Sequence, residues 1–387
     1  MQLIAYYEGA AETISWLNTV LGRTDVIYKK LPTSNDSKEF TRLPAYVADI
    51  LNLDKPDIIL SGKIDGDHEK PIFSIEFASC TPQYQHALQR FSRMMAGVIN
   101  GCPSVIIIPL VKAENSGGSR RYSRSRAIEY GAVRLMDIFN SPAFVLDWED
   151  VNGTLTTENN MSLPRIESDG IQQLQELLRS ALVQFANIDY ISALWRLPLV
   201  KKLVDNTRVR AYAGGAPSIA QPGGGSVGRT SLSNLDLLKT DDLLDEVKSK
   251  STIHAVQIEL ISDFINLREQ SLVFYPSRVT AHAGDPYVGM IGYYDIAFCR
   301  VGKSTRERSY NLVAYCKGVS INEINKTMQN YNKCSCPFVD GVNSTNLEKY
   351  SYHLKYGCKL TKSKPVRIYA ELADLVIFDD GIIYNAG

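Results

Sequence analysis

The stretch that most constrains the fold is 55–109, KPDIILSGKIDGDHEKPIFSIEFASCTPQYQHALQRFSRMMAGVINGCPSVIIIP. It contains two short apolar runs that carry one acid each, Asp57 and Glu76, joined by a polar turn over 65–70. Pro56 and Asp57 open the first run, expected as a strand over 58–60 and as far as 64. The second strand is expected over 72–78. Thr81-Pro82 then opens a helix, because the fixed φ of proline suits a first helical position. That helix is expected to run to Asn100 and stop at Gly101. The run over 104–110 is apolar throughout, as in strands buried on both faces. Strand, strand, helix and strand with short joins imply a right-handed crossover and a mixed sheet.

Residues that face each other across a hairpin have a nearly constant index sum. A turn centred on Gly66 and Asp67 sets Asp57 across from Glu76, with both side chains on one face. The same sum sets Lys55 across from Ala78. Two carboxylates so placed can share a hard cation such as Mg²⁺, which takes oxygen ligands and keeps several waters. Such an ion lowers the pKa of a bound water and neutralises charge on a scissile phosphate.

Pro56-Asp57, then Glu76 on the next strand, then a helix and a buried strand, resembles the PD-(D/E)XK nuclease superfamily, in particular its restriction-endonuclease branch. The resemblance covers about residues 1–150. It implies an α/β fold with a PD-(D/E)XK-type mixed sheet core flanked by helices. It also implies Mg²⁺-dependent cleavage of double-stranded DNA, with Asp57 and Glu76 as metal ligands. Members of the family often add an acid from the first helix, for which Glu8 and Glu12 are the candidates. They also place polar groups on the helix after the second strand, here Gln85, Gln89, Arg90 and Arg93. Gln89 and Arg90 are expected to flank the scissile phosphate, and Arg93 to contact DNA. The chain departs from the pattern at one position: the family's lysine belongs two residues after Glu76, where Ala78 stands. Some members of the family manage without a lysine there; otherwise three groups are candidates to replace it. Lys55 lies across the hairpin, and Arg90 and Gln89 lie on the following helix. Lys63 and Lys70 are several residues along the strands, too far at about 3.3 Å per residue.

Length sets the wider organisation. At 387 residues the chain is expected to form two or three domains. Lys and Arg number 42, as do Asp and Glu, so any attraction to nucleic acid must come from local patches. One such patch is SGGSRRYSRSR, where Arg120, Arg121, Arg124 and Arg126 alternate with serine and tyrosine and suit phosphate contacts. No apolar run reaches the roughly 18–20 residues of a membrane span, and no signal peptide is evident. Seven irregularly spaced cysteines point to a reducing, cytoplasmic setting, with Cys80 and Cys102 as buried thiols. Cys334, Cys336, Cys358 and His353 depart from common zinc spacings. His68 is expected to be solvated in the turn, and His86 to lie on the helix surface.

Periodicity predicts helices over 8–21, with Gly22 as the stop, and over 43–53, 126–139, 171–185, 190–204 and 235–249. An apolar segment follows over 253–267, and a strand is expected over 142–148. Late strands are expected over 293–301, 310–318, 366–370 and 375–384, the last with a turn at Asp380-Gly381. The resulting division is a nuclease-like core at 1–150, a helical segment at 151–210, a Gly/Pro-rich linker or mobile loop at 211–229, and a β-rich part at 230–387. This last part is rich in tyrosine and would recognise DNA or form a homodimer, since symmetric sites are usually read by symmetric dimers. Three other functions fit the same residues: an effector nuclease gated by a small ligand, a non-catalytic nucleic-acid-binding protein on a decayed nuclease fold, and an RNA-directed nuclease.

Overall fold

The computed structural model describes residues 1–9, 11–32, 42–64, 68–78, 88, 90–109, 126–151, 154–159, 161–213, 215–217, 235–250, 252–264, 267–276, 287–320 and 364–384. The chain divides into two compact units, built mainly from Met1–Leu31 with Pro44–Pro217 and from Gly228–Gly387. Each is a mixed α/β unit with its own sheet. No helix of the described residues is long and apolar enough to cross a membrane.

The first unit begins with β1 (Gln2–Tyr7), α1 (Glu12–Leu21), β2 (Val26–Lys30) and α2 (Ala45–Leu53). Glu8 and Gly9 lie outside α1, so the helix starts four residues later than periodicity suggested. Gly22 closes it in the left-handed region, at φ 63°, as expected of a helix stop. The hairpin follows, β3 (Ile58–Lys63) and β4 (Lys70–Phe77), then α3 (Phe91–Ile99) and β5 (Ser104–Pro109). Next come α4 (Arg126–Phe139) and β6 (Ala143–Trp148), a two-stranded ribbon of β7 (Asp150–Val151) and β8 (Thr154–Leu155), and α5 (Asp169–Gln184). The predicted helix over 190–204 is two helices, α6 (Tyr190–Arg196) and α7 (Pro198–Tyr212), because Pro198 cannot continue α6 and starts α7 instead. These helices belong to the first unit: α5 and α7 pack on β6, and α7 also packs on α4.

The main sheet has the order β2-β1-β3-β4-β5-β6. β1–β3 and β3–β4 are antiparallel, whereas β1–β2, β4–β5 and β5–β6 are parallel. α3 makes the crossover from β4 to β5. Its close approach to the sheet requires glycine: a Cβ at Gly97 would sit 2.2 Å from Ser104 Oγ and 2.3 Å from Ser74 Oγ. Successive residues of β4 face opposite sides. Phe77 packs edge-on to Trp16 of α1, and Glu76 faces the α3 side. Helices therefore cover both faces, as the continuous burial of β5 also requires.

The hairpin carries a bulge. Ile58 pairs with Ile75, Ile59 with Ser74 and Leu60 with Phe73, but Ser61 then pairs with Pro71, so Ile72 is the extra residue. Pro71 has no N–H to give the ladder, and bulges are where strands accommodate proline. The carbonyl of Ile72 accepts the Tyr190 hydroxyl at 3.2 Å. On the acid side of the bulge the index sum is the one that places Asp57 across from Glu76.

The second unit comprises β9 (Leu235–Lys239), α8 (Thr240–Lys248), α9 (Thr252–Phe264), β10 (Gln270–Phe274), α10 (Tyr287–Tyr294), a π-helical turn (Asp295–Cys299), β11 (Asn311–Tyr315), α11 (Lys364–Leu372), β12 (Leu375–Ile377) and β13 (Ile382–Tyr384). Its sheet has the order β13-β12-β11-β10-β9, with three parallel central strands and an antiparallel strand at each edge. Three expectations are corrected. The helix over 235–249 begins as an edge strand paired with β10, so only 240–248 is helical. The strand over 293–301 is the end of α10 and the π-helical turn. The strand over 366–370 is α11. The part expected to be β-rich is thus an α/β unit. The antiparallel pair around Asp380-Gly381 forms as expected.

A buried ion network ties the second unit together. Asp295, fully buried in the π-helical turn, pairs with Arg300 and, at 2.8 Å, with Arg308. Arg308 also holds Asp374 at 2.9 Å and donates to the Leu372 carbonyl.

Candidate functional site

The site lies at the ends of β3 and β4 and is assembled by backbone hydrogen bonds as much as by side chains. Asp57 N–H donates to Glu76 Oε2 at 3.2 Å, and Phe77 N–H donates to Asp57 Oδ2 at 2.7 Å. Each acid is thus fixed by the other strand, the in-register arrangement that the hairpin sum predicts. Glu8 N–H donates to the Asp57 carbonyl at 2.7 Å, which brings the end of β1 alongside.

The two acids differ in environment. Asp57 is partly exposed and lines an open cleft of about 630 Å³ together with Glu8, Glu12, Thr13, Arg90 and Ser162. Glu76 lies behind it, 1% exposed. Burial, with Asp57 adding to it, pushes the Glu76 carboxyl well above the ordinary carboxylate range, and Arg93 and Arg90 pull it back only in part. Arg93 Nη1 lies 2.6 Å and Arg90 Nη1 3.0 Å from Glu76 Oε1. Arg90 sits in the turn that enters α3 and Arg93 in its first turn, three residues on, so both reach the same face.

Arg93 also approaches Asp57 at 3.6 Å and Asp54 at 3.9 Å. Asp54, 2% exposed, accepts the Ser92 hydroxyl and the Lys55 N–H. Burial works against the charge of Arg93, but Glu76, Asp54 and Asp57 together hold its guanidinium above its ordinary value. Arg93, expected to contact DNA, is therefore turned inward onto three carboxylates. Sequence reasoning missed Asp54; the available signal was an acid immediately past a helix end and three residues before Asp57.

Two of the candidates for the place of the missing lysine, Lys55 and Arg90, lie among the described residues. Lys55 Nζ pairs with Glu8 at 2.5 Å. Arg90 reaches Glu76. Glu12 opens α1 and lines the cleft, whereas Glu8 lines it from the loop before α1. Arg126 opens α4. Cys102 is a buried thiol, and His68 is exposed. Gln85, His86, Gln89, Cys80, Arg120, Arg121, Arg124, Cys334, Cys336, His353 and Cys358 lie outside the described residues, as does most of 211–229.

The oxygens of Asp57 and Glu76 are the right donors for Mg²⁺, but they are engaged otherwise. Both Glu76 oxygens and Asp57 Oδ2 accept N–H groups, and Asp57 Oδ1 faces Arg93. Arranged in this way the residues do not fit a dication. Among the described residues, no three His, Cys, Asp or Glu side chains gather so as to hold a metal ion. Comparison with family models, with curated proteins and with solved structures finds no match to this chain.

Proposed function

We propose that the first unit is the catalytic core of an endonuclease of the PD-(D/E)XK, restriction type, which hydrolyses phosphodiester bonds of double-stranded DNA. The observation that carries this reading is the cross-strand pairing of Asp57 and Glu76 at the edge of a polar cleft, with Arg90 of the crossover segment reaching Glu76 in place of the motif lysine. In the hydrolysis, a water oxygen bonds to phosphorus and the bond from phosphorus to one ester oxygen breaks with its electron pair. That oxygen takes up a proton as the water gives one up. Asp57, which faces the cleft, is placed to accept the water's proton, and Arg90 to face the phosphate charge. Mg²⁺ is the ion this reading calls for. The second unit would recognise DNA sequence or join two copies in a homodimer, and the setting would be cytoplasmic.

The test is digestion of unmethylated phage DNA by the full chain, with Mg²⁺ and with EDTA, beside Asp57→Ala and Glu76→Ala. Discrete fragments that require Mg²⁺ and both acids are expected, with DNA affinity largely kept in the variants. DNA bound but intact in every lane would overturn the catalytic assignment in favour of a non-catalytic DNA-binding protein.

A further inference from the structure

The cleft beside Asp57 has a wall that the nuclease resemblance does not account for. It comes from the chain after β8, beyond the residues that the resemblance covers, and brings Asn159, Met161, Ser162 and Leu163 to the lining. Two arms, 156–159 and 161–166, build it. Thr157 and Pro164 pair in an antiparallel bridge, and Glu158 N–H donates to the Leu163 carbonyl at 3.0 Å. Each arm is clamped at its foot by a tryptophan. The Trp148 indole N–H donates to the Thr156 carbonyl at 2.9 Å, and the Trp16 indole N–H to the Pro164 carbonyl at 2.8 Å. Both indoles are buried, one at the end of β6 and the other in α1. The arms are thus tied to the sheet and to the helix that carries Glu12. The Glu158 carboxylate accepts Ile166 N–H at 3.1 Å and the Asn159 amide at 3.0 Å. Asn159 stands in the left-handed region, at φ 42°, which asparagine tolerates better than most residues.

This frame presents polar groups to the cleft. Ser162 is exposed and forms no hydrogen bond within the described residues. One N–H of the Asn159 amide goes to Glu158, and the amide has a second. The nearby cations are already paired, Lys55 with Glu8 and Arg90 with Glu76, while Glu12 and Asp57 bring negative charge to the same cleft. A phosphodiester lying there needs further donors. Neutral donors on a clamped frame suit that need, because little freedom is lost when the contact forms.

We propose that these arms are the strand-holding wall of the cleft, with the Ser162 hydroxyl and the Asn159 amide donating to backbone phosphate oxygens next to the scissile one. Such contacts fix where along the strand the cleft sits and carry no sequence information themselves. Both are positioning residues. Their contacts are the same before and during bond breaking, so they act on binding and leave the chemical step alone. This rests on the reading of the cleft as the place where DNA lies.

The test is equilibrium binding of a short fluorescein-labelled duplex to the full chain, in EDTA so that the DNA stays intact, followed by anisotropy. Ser162→Ala is expected to bind about tenfold more weakly than the wild type, the worth of a hydrogen bond to a charged group. Ser162→Thr, which keeps the hydroxyl, should bind like the wild type, and Ser162→Asp more weakly than Ser162→Ala. Asn159→Gly, which keeps the left-handed turn and removes the amide, should also bind more weakly. Thr154→Asp adds the same charge on the exposed ribbon outside the cleft and should weaken binding far less than Ser162→Asp. Retained tryptophan fluorescence, to which Trp16 and Trp148 contribute, checks that the arms stay clamped. In digestion with Mg²⁺, Ser162→Ala should raise KM and keep kcat. Ser162→Ala and Ser162→Asp binding as tightly as the wild type would overturn the proposal, and with phage DNA still cut the nuclease reading would stand. Weaker binding by these variants with phage DNA left intact would keep the wall as a DNA contact and sink the catalytic reading separately. A wild type that neither binds nor cuts DNA would overturn both.

Discussion

Arg93→Met removes the cation that three carboxylates share and keeps much of the apolar stem that packs against α3's surroundings. In the native arrangement Arg93 lies 2.6 Å from Glu76, 3.6 Å from Asp57 and 3.9 Å from Asp54. At an effective dielectric of about 20, one opposite charge at about 4 Å contributes about 4 kcal/mol before desolvation is charged against it. Removing one partner of a buried pair costs about 3–5 kcal/mol, because the other charge is left uncompensated. We expect a loss in that range near neutral pH. The pH dependence has a definite sign. Burial and Asp57 already raise the folded-state pKa of Glu76 above its ordinary value, and loss of Arg93 raises it further. A raised folded pKa contributes stability that is present below the unfolded value and disappears as pH rises through the folded one. The deficit of Arg93→Met should therefore shrink in acid, where Glu76 is protonated, and Glu76→Gln in the same chain should recover most of it. Urea unfolding followed by tryptophan fluorescence measures this cleanly, since all three tryptophans, Trp16, Trp148 and Trp195, lie in the first unit. A loss under about 1 kcal/mol, the worth of an exposed ion pair, or a deficit that grows in acid, would refute the reasoning.

Two further outcomes can be checked by calorimetry of the full chain. Asp295→Asn should cost about 3–5 kcal/mol at neutral pH, since Arg300 and Arg308 would be left facing a neutral amide. Burial opposes the charge of Asp295, but Arg308 and Arg300 outweigh it and hold the carboxyl below its ordinary value. Its contribution is thus present above the unfolded pKa and lost as pH falls through the folded one, so the variant should lose less stability in acid than the wild type does; an unchanged acid slope would count against this. Gly97→Ala should destabilise the first unit by about 1–3 kcal/mol, the usual cost of overpacking, because the new methyl meets Ser74 and Ser104. A stabilised variant would show that helix propensity outweighs that clash.

The Asp57–Glu76 pairing was legible in the sequence because a short hairpin leaves few registers, and the apolar faces of β3 and β4 select among them. The aim of Arg93 was not. Arg90 and Arg93 are one helical step apart, which places them on one face but does not say what that face meets. The partner of Lys55 was not legible for a related reason: Glu8, from the loop after β1, decides where its ammonium goes. In the second unit the errors share a cause. LDLLK at 235–239 continues the helical spacing of the residues after it, and only its distant partner β10 makes it a strand. The aromatic run around Tyr293 and Tyr294 has strand propensity, but these side chains pack in a helical arrangement with Phe274 and Phe298, and tertiary burial overrides local preference. In 364–372, Pro365 near the start was the available helix signal.

The bulge at Ile72 has a consequence for how such a chain can vary. The register between Ile58 and Leu60 and their partners is set on one side of it, and the turn lies on the other. With Ile72 set as the extra residue and anchored to Tyr190, residues added or lost at the hairpin tip alter the length of the distal arm and leave the alignment of the acids where it is. The tip is accordingly the natural place for lineages to diverge in length, or for an epitope to be grafted, while the carboxylates keep their separation.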